Sequence, residues 1–351
     1  MVKNEEKVIG RCLESVKDIA DLFIISDTGC IDNTVEIIKS FCKINKKEYQ
    51  IYRNEWINFG HNRNELLKIT RNQSGYSLLL DADMTIDLQN FNKEKLSADA
   101  YYIRYSGDLD FAQILLINNK FNWNYFGVTH EYINSNEAKI FENLDSIKIN
   151  HLYDGSNRIN KANRDIKLLE QGIIDEPNNS RYYFYLANSY RDSGNYKKAL
   201  DLYEQRIFLG GWDQEIFYSY YQMGICSEKL NANEVAKKCY LNAFELRPTR
   251  SEPLYRLSVL CRNLGQYQQA YMYSKRGLDV SYPEDVIFIE KPVYDYLLLF
   301  EKSIAAYYIG KHQESYNDCK KLLSIKNISD SIKIQTEKNI KFSEEKINKI
   351  N

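Results

Sequence analysis

A chain of 351 residues is long enough for about two domains, and its 44% hydrophobic and 27% charged residues exclude wholesale disorder and fibrous repeats. Forty-seven basic side chains against 48 acidic ones leave a formal charge of −1, so no overall electrostatic footprint points to nucleic acid. The seven cysteines are odd in number and contain no C-x-x-C, which argues against a disulfide framework or structural zinc and for a reducing compartment. No apolar run reaches the ~20 residues of a membrane span, and MVKNEEKVIG lacks a signal peptide's apolar stretch. These features predict a soluble, cytoplasmic protein.

Residues 1–160 alternate short apolar runs with amphipathic stretches. LFIIS (22–26) reads as a strand ending at Asp27, and a helical pattern runs from Asn33 to about Cys42. YQIYR (49–53) is a second strand, residues 62–72 a helix, and YSLLL (76–80) a buried strand stopping at Asp81. AYYIRY (100–105), QILLIN (113–118) and SIKIN (146–150) are further strands. The alternation predicts an α/β domain with a largely parallel sheet, whose ligands sit beyond the strands' carboxyl ends.

Residues 161–351 read as an all-α array. On a 34-residue frame, 180–213, 217–250, 251–284 and a weaker 296–329 place small and aromatic residues in register. Gly194, Gly265 and Gly310 recur, as do Ala199, Ala236 and Ala270 and the tyrosines Tyr203 and Tyr240. This is the tetratricopeptide pattern, in which small residues let paired helices approach. The Lys/Glu-rich tail from Ser329 reads as a capping helix.

Two elements of the first half carry chemistry. Asp27-Thr28-Gly29-Cys30-Ile31-Asp32-Asn33-Thr34 closes a strand and opens a helix. Its acids suit hydrogen bonds from a base or ribose, and equally a turn with a helix N-cap. Asp81-Ala82-Asp83 follows a buried strand, where two carboxylates could face Mg²⁺ or Mn²⁺. A D-x-D occurs by chance about once in a chain this long, and Asp108-Leu109-Asp110 is given no role.

Lys3-Asn4-Glu5-Glu6, the Asp27 turn, Arg63-Asn64 in a helix and strand-Asp81-Ala82-Asp83 occur in the order and spacing of family 2 glycosyltransferases. The chain resembles the subgroup in which a GT-A (nucleotide-diphospho-sugar transferase, Rossmann-like) domain precedes a tetratricopeptide superhelix. The resemblance implies a nucleotide-sugar donor, most often UDP-linked, a divalent Mn²⁺ or Mg²⁺, and inversion at the anomeric carbon. By the same resemblance Asn4 and Glu5 lie near the nucleotide and Asp27 contacts the base. Arg63 lies by the diphosphate, Asp81 near ribose or metal, and Asp83 on the metal. Family members carry an apolar strand just before the Lys-Asn-Glu-Glu element, whereas only Met1-Val2 precede it here, so a shortened first strand is expected.

Phe126-Gly127-Val128-Thr129-His130-Glu131 matches the subgroup's acceptor-side element. Inversion needs a general base, and Glu131 is the candidate. His151 is a candidate third metal ligand, with His130 the alternative. Lys161 and Arg164 lie three apart on one helical face and could reach diphosphate oxygens or form a solvated face. His61 and His312 receive no role. The expected activity is transfer of a sugar to a protein or glycan acceptor docked on the repeats, which could also pair two subunits. The competing reading is a non-catalytic repeat protein with a degenerate transferase domain.

Overall fold

The computed structural model describes residues 1–156 and 161–350. The chain divides into two compact units, Met1–Ser193 and Gly194–Asn351. The domain change expected at residue 160 lies outside the described residues. No helix among the described residues is long and apolar enough to cross a membrane.

In the first unit, helix α1 (Ile9–Val16) buries Ile9, Cys12, Leu13 and Val16, the i, i+3, i+4, i+7 stripe of a core-facing helix. Strand β1 (Leu22–Asp27) runs parallel to β2 (Glu48–Arg53), with Asp27 opposite Arg53. Helix α2 (Thr34–Ile44) makes the crossover that parallel strands need. Val2 lies beside β1 in a single parallel bridge to Asp27, made by Val2 N–H to Ser26 O (2.8 Å) and Thr28 N–H to Val2 O (3.0 Å).

The larger sheet has the order β3-β7-β5-β10-β4, from Tyr76–Leu78, Ala112–Asn118, Ala100–Tyr105, Phe141–His151 and Met84–Leu88. Only β5 and β10 pair in parallel; the other three contacts are antiparallel. The largely parallel sheet expected from the alternation is therefore mixed. Between β5 and β7 the chain, which holds only the two-residue strand β6 (Leu109–Asp110), is far too short for the dozen or more residues of a crossover, so those strands must run antiparallel. Phe23, Ile25, Ile38, Ile103, Leu116, Ile147 and Ile149 form the main core.

Helix α3 (Phe59–Thr70) starts three residues before the predicted 62, because the Asn58 side chain caps it by accepting the His61 N–H at 2.8 Å. It covers a second apolar cluster of Leu67, Ile117, Trp123 and Ile133. Strands β8 (Asn124–Phe126) and β9 (Tyr132–Asn134) form a hairpin whose loop is 127–131. The start of α3 meets that loop backbone to backbone. Phe59 N–H donates to Val128 O at 3.2 Å, and a Cβ on Gly60 would lie 2.2 Å from Gly127 O. Helices α4 (Lys161–Asp175) and α5 (Ser180–Asp192) complete this unit.

In the second unit, α6 (Tyr196–Phe208) precedes the pairs α7/α8 (Asp213–Lys229, Asn233–Leu246), α9/α10 (Glu252–Asn263, Tyr267–Leu278) and α11/α12 (Leu298–Tyr308, His312–Leu323). These pairs are the second, third and fourth sequence copies, and α13 (Asp330–Ile350) follows. Where the other copies turn on a glycine, the second uses Asn231 at φ 59°, the residue type that best tolerates the left-handed region after glycine.

Gly60→Ala should lower the stability of the first unit by about 2 kcal/mol in urea unfolding. The clash is with a carbonyl that no rotamer change can move, and overpacking of about 1–3 kcal/mol outweighs a helix-propensity gain of at most about 1 kcal/mol. Unchanged or raised stability would show that this close approach is not required.

Candidate active site

The Asp27 turn is organised by its own acids. Asp27 Oδ1 accepts the N–H groups of Gly29 (3.0 Å) and Cys30 (2.7 Å). Burial pushes its carboxyl up, but the hydrogen bonds from Cys30 and Gly29 prevail and hold it below the usual range. Asp32 Oδ1 accepts the N–H and hydroxyl of Thr34 at 3.0 and 2.6 Å, ordering the start of α2. Segment 3–6 lies along this turn. Asn4 Oδ1 accepts Ile31 N–H (2.8 Å), Asn4 N–H donates to Cys30 Sγ (3.3 Å), and Glu5 N–H donates to Thr34 Oγ1 (2.7 Å).

Asp81-Ala82-Asp83 is a tight turn leading into β4, closed by Met84 N–H to Asp81 O at 3.1 Å. Because β4 and β10 pair antiparallel with His151 opposite Met84, the end of β10 brings His151 Nε2 to 3.1 Å from Asp83 Oδ2. The His151 ring stacks on Tyr153, centroids 3.9 Å apart. Burial raises the Asp83 carboxyl, yet His151 outweighs it and the net shift is downward.

Two consecutive amides then join the acids. Gly155 N–H points to Asp83 Oδ2 at 3.4 Å, and Ser156 N–H donates to Glu5 Oε2 at 3.0 Å. The Ser156 hydroxyl also donates to Glu5 Oε1 at 2.9 Å. Glu5 is only 5% exposed, and burial raises its carboxyl despite the Ser156 bonds, with the Asp83 charge adding to the rise. Asn4, Glu5, Asp27, Asp83 and His151 thus form one connected rim. Gly155 and Ser156 were missed by the motif reading, although the Asp154-Gly155 dipeptide is a turn signal.

Arg63 bridges the second group. Its Nη2 donates to Asp81 Oδ1 at 2.6 Å, and its Nε lies 2.5 Å from Glu131 Oε1. Burial opposes the guanidinium charge, but Asp81 and Glu131 hold it firmly protonated. The neighbouring Asn64 exchanges two hydrogen bonds with the Tyr125 backbone (2.9 and 2.7 Å), which sets Arg63 over the Tyr125 ring at 5.3 Å.

The remaining candidates lie elsewhere in this unit. His130 Nε2 is 3.6 Å from Asp165 Oδ2 of α4, whereas the histidine beside Asp83 is His151. Arg164 pairs with Asp165 at 3.0 Å and lies over the Phe59 ring at 4.9 Å, and Lys161 is exposed at the start of α4.

Among the described residues, no group of three or more His, Cys, Asp and Glu side chains is arranged to hold a cation. Asp83 and His151 do supply the oxygen and imidazole donors that Mn²⁺ accepts, and their 3.1 Å separation suits neighbouring ligands of one ion. Arg63 is matched by Asp81 and Glu131, and Asp83 by His151.

Asp27, Asp83 and Asp165 are all held below the ordinary Asp value of about 4. Their ionised forms therefore stabilise the fold above that value, and this contribution disappears as pH falls through their lower folded-state values. Thermal melts should show the loss from these groups setting in below about pH 4, and Asp165→Asn should weaken the acid dependence. An acid limb unaffected by this substitution would contradict the assignment.

A family model described as glycosyl transferase family 2 matches residues 1–95, which contain Asn4, Glu5, Asp27, Arg63, Asp81 and Asp83. A tetratricopeptide repeat model matches 217–250, the α7/α8 copy. Two curated relatives are the SPbeta prophage-derived glycosyltransferase SunS of Bacillus subtilis (strain 168) and the glycosyltransferase SunS of Bacillus phage SPbeta. Each is 28% identical over 225 residues, covering 59% of this chain and 52% of the relative. The chain spans about half the length of the curated relatives it matches. Among solved structures, MamA is 16% identical with a TM-score of 0.39, covering 48% of this chain and 88% of its own. YrrB, described as a TPR protein with an unusual peptide-binding site, is 16% identical with a TM-score of 0.40, covering 51% and 85%. The chain carries a family 2 glycosyltransferase domain at its N-terminal end and a tetratricopeptide repeat in the helical region that follows.

Proposed function

We propose that the protein transfers a sugar from a nucleoside-diphosphate donor, UDP-linked as in most of this fold, to a protein or glycan acceptor, with inversion. The observation that carries this reading is the rim where Arg63, Asp81 and Asp83 of the family-matched residues 1–95 meet Glu131 and His151 from beyond them. A carboxylate–imidazole pair beside a fixed guanidinium suits a diphosphate that arrives with a divalent cation. Asp83 and His151 would hold that cation, with Asp81 beside them, and bound there it would supply Lewis-acid stabilisation of the leaving diphosphate.

The protein's own groups do the rest. Arg63 contacts Asp81 and Glu131 through Nη2 and Nε, and a guanidinium has five N–H donors for oxyanions. Asn4, Glu5 and the Asp27 turn flank the nucleotide side. The acceptor oxygen attacks the anomeric carbon, and the bond from that carbon to the diphosphate oxygen breaks with its electron pair leaving on the diphosphate. The acceptor proton passes to Glu131. The repeat helices offer the surface for the acceptor.

Hydrolysis of a panel of UDP-sugars, with Mn²⁺ or with a chelator, tests the reading. At least one donor should release UDP in the presence of metal, and Asp83→Asn should reduce that rate about 100-fold or more, whereas Asp108→Asn should leave it unchanged. No donor bound or turned over, together with an inert Asp83→Asn, would leave the non-catalytic interaction protein as the better account. Glu131→Gln should lower kcat by about 10²–10⁴-fold, the usual worth of a general base, while UDP affinity measured calorimetrically changes little. A loss confined to KM would remove Glu131 from that role.

A further inference from the structure

We propose that the α4–α5 helices position the general base, with Arg181 of α5 as the principal positioning residue. The proposal rests on Glu131 acting as the base, as argued above, and adds a part of the site outside the 1–95 family match.

Glu131 sits in the loop joining β8 to β9 and follows a residue in an unusual conformation. His130 has φ 49°, a left-handed backbone that non-glycine residues adopt only when their surroundings impose it. Here the surroundings come from α4 and α5. Arg181 Nε and Nη2 both donate to the His130 carbonyl, at 3.2 and 3.1 Å. That carbonyl belongs to the peptide unit whose nitrogen is Glu131's own, so fixing its plane fixes the direction in which Glu131 leaves the backbone. The guanidinium is itself located by the rings of Tyr185 (4.7 Å) and Tyr132 (5.1 Å) and by the Tyr185 hydroxyl at 3.2 Å.

The His130 side chain is held from the same direction. Its imidazole stacks on Tyr185 with centroids 4.3 Å apart and planes 4° from parallel. Its Nε2 is 3.6 Å from Asp165, a carboxylate 2% exposed and paired with Arg164. Residue 130 is thus fixed at both backbone and ring, and Glu131 is then met by Arg63 on the far side. Arg181 donates to the His130 carbonyl, in the peptide unit that leads into Glu131, and so acts through the backbone. A base displaced by about 1 Å can cost about 100-fold in rate.

The test measures kcat and KM for the UDP-sugar that the wild-type protein hydrolyses best, with UDP affinity and thermal midpoint recorded for every variant. Arg181→Gln should lower kcat by about 10–100-fold, with donor KM and UDP affinity near wild type. Arg181→Lys, which keeps the charge but loses the two-pronged donor, should fall between. Added to Glu131→Gln, either change should cost little more than Glu131→Gln alone, because positioning an absent base has no further effect. A purely structural role would instead give additive losses, and additivity would overturn the proposal, as would unchanged kcat in a folded Arg181→Gln. Should Arg181→Gln fail to fold, Arg181→Lys and Tyr185→Phe carry the same double-variant comparison. A Glu131→Gln protein with full activity would sink the base assignment itself, an outcome distinct from a costly Glu131→Gln with silent Arg181 variants.

Discussion

The geometry of the candidate site depends on one nearly buried guanidinium. Arg63, with 16% of its side chain exposed, joins a carboxylate from the turn before β4 to one from the β8–β9 loop. A cation so placed is held by its carboxylate partners, since burial alone disfavours its charge. Arg63 therefore obliges Asp81 and Glu131, far apart in the chain, to share one location. Its own position is set by backbone contacts, the Gly60 approach to Gly127 on one side and the Asn64 clasp of Tyr125 on the other.

A second constraint is the register of β4 against β10. Placing His151 opposite Met84 puts an imidazole beside Asp83, and the chain then turns so that successive amides reach Asp83 and Glu5. Shifting the register by one residue would send His151 to the other face of the sheet. The two constraints make one rim on which Arg63 joins Asp81 to Glu131 and His151 lies beside Asp83.

Much of this was legible in the order of residues. The Asp27 turn, the helix bearing Arg63-Asn64 and the Asp81-Ala82-Asp83 turn are local features, and local patterns read well. The 34-residue repeats were visible for the same reason, although the second copy hid its turn behind Asn231 in place of glycine. Strand direction was misjudged from the alternation, because apolar runs such as AYYIRY and QILLIN look alike in parallel and antiparallel sheets, although the short connection between these two already excluded a parallel crossover. His151 and His130 were both open as ligands, and which of them lies beside Asp83 depends on the β4–β10 register, while Asp165 engages His130. Arg164 was open between a diphosphate contact and a solvated face, and its guanidinium pairs with Asp165 and lies over the Phe59 ring. Arg181 carried no signal at all, since a backbone carbonyl held by a distant arginine leaves no pattern in sequence.

The central claim is that the Asp83–His151 pair and Arg63 together receive a cation and a diphosphate. Diffraction from crystals soaked in Mn²⁺ and UDP, recorded where manganese scatters anomalously, tests it most directly. The account predicts an anomalous peak within bonding distance of both the Asp83 carboxylate and the His151 ring, with the diphosphate reaching the Arg63 guanidinium. A manganese peak bonded to neither side chain, or UDP seated away from Arg63, would contradict it.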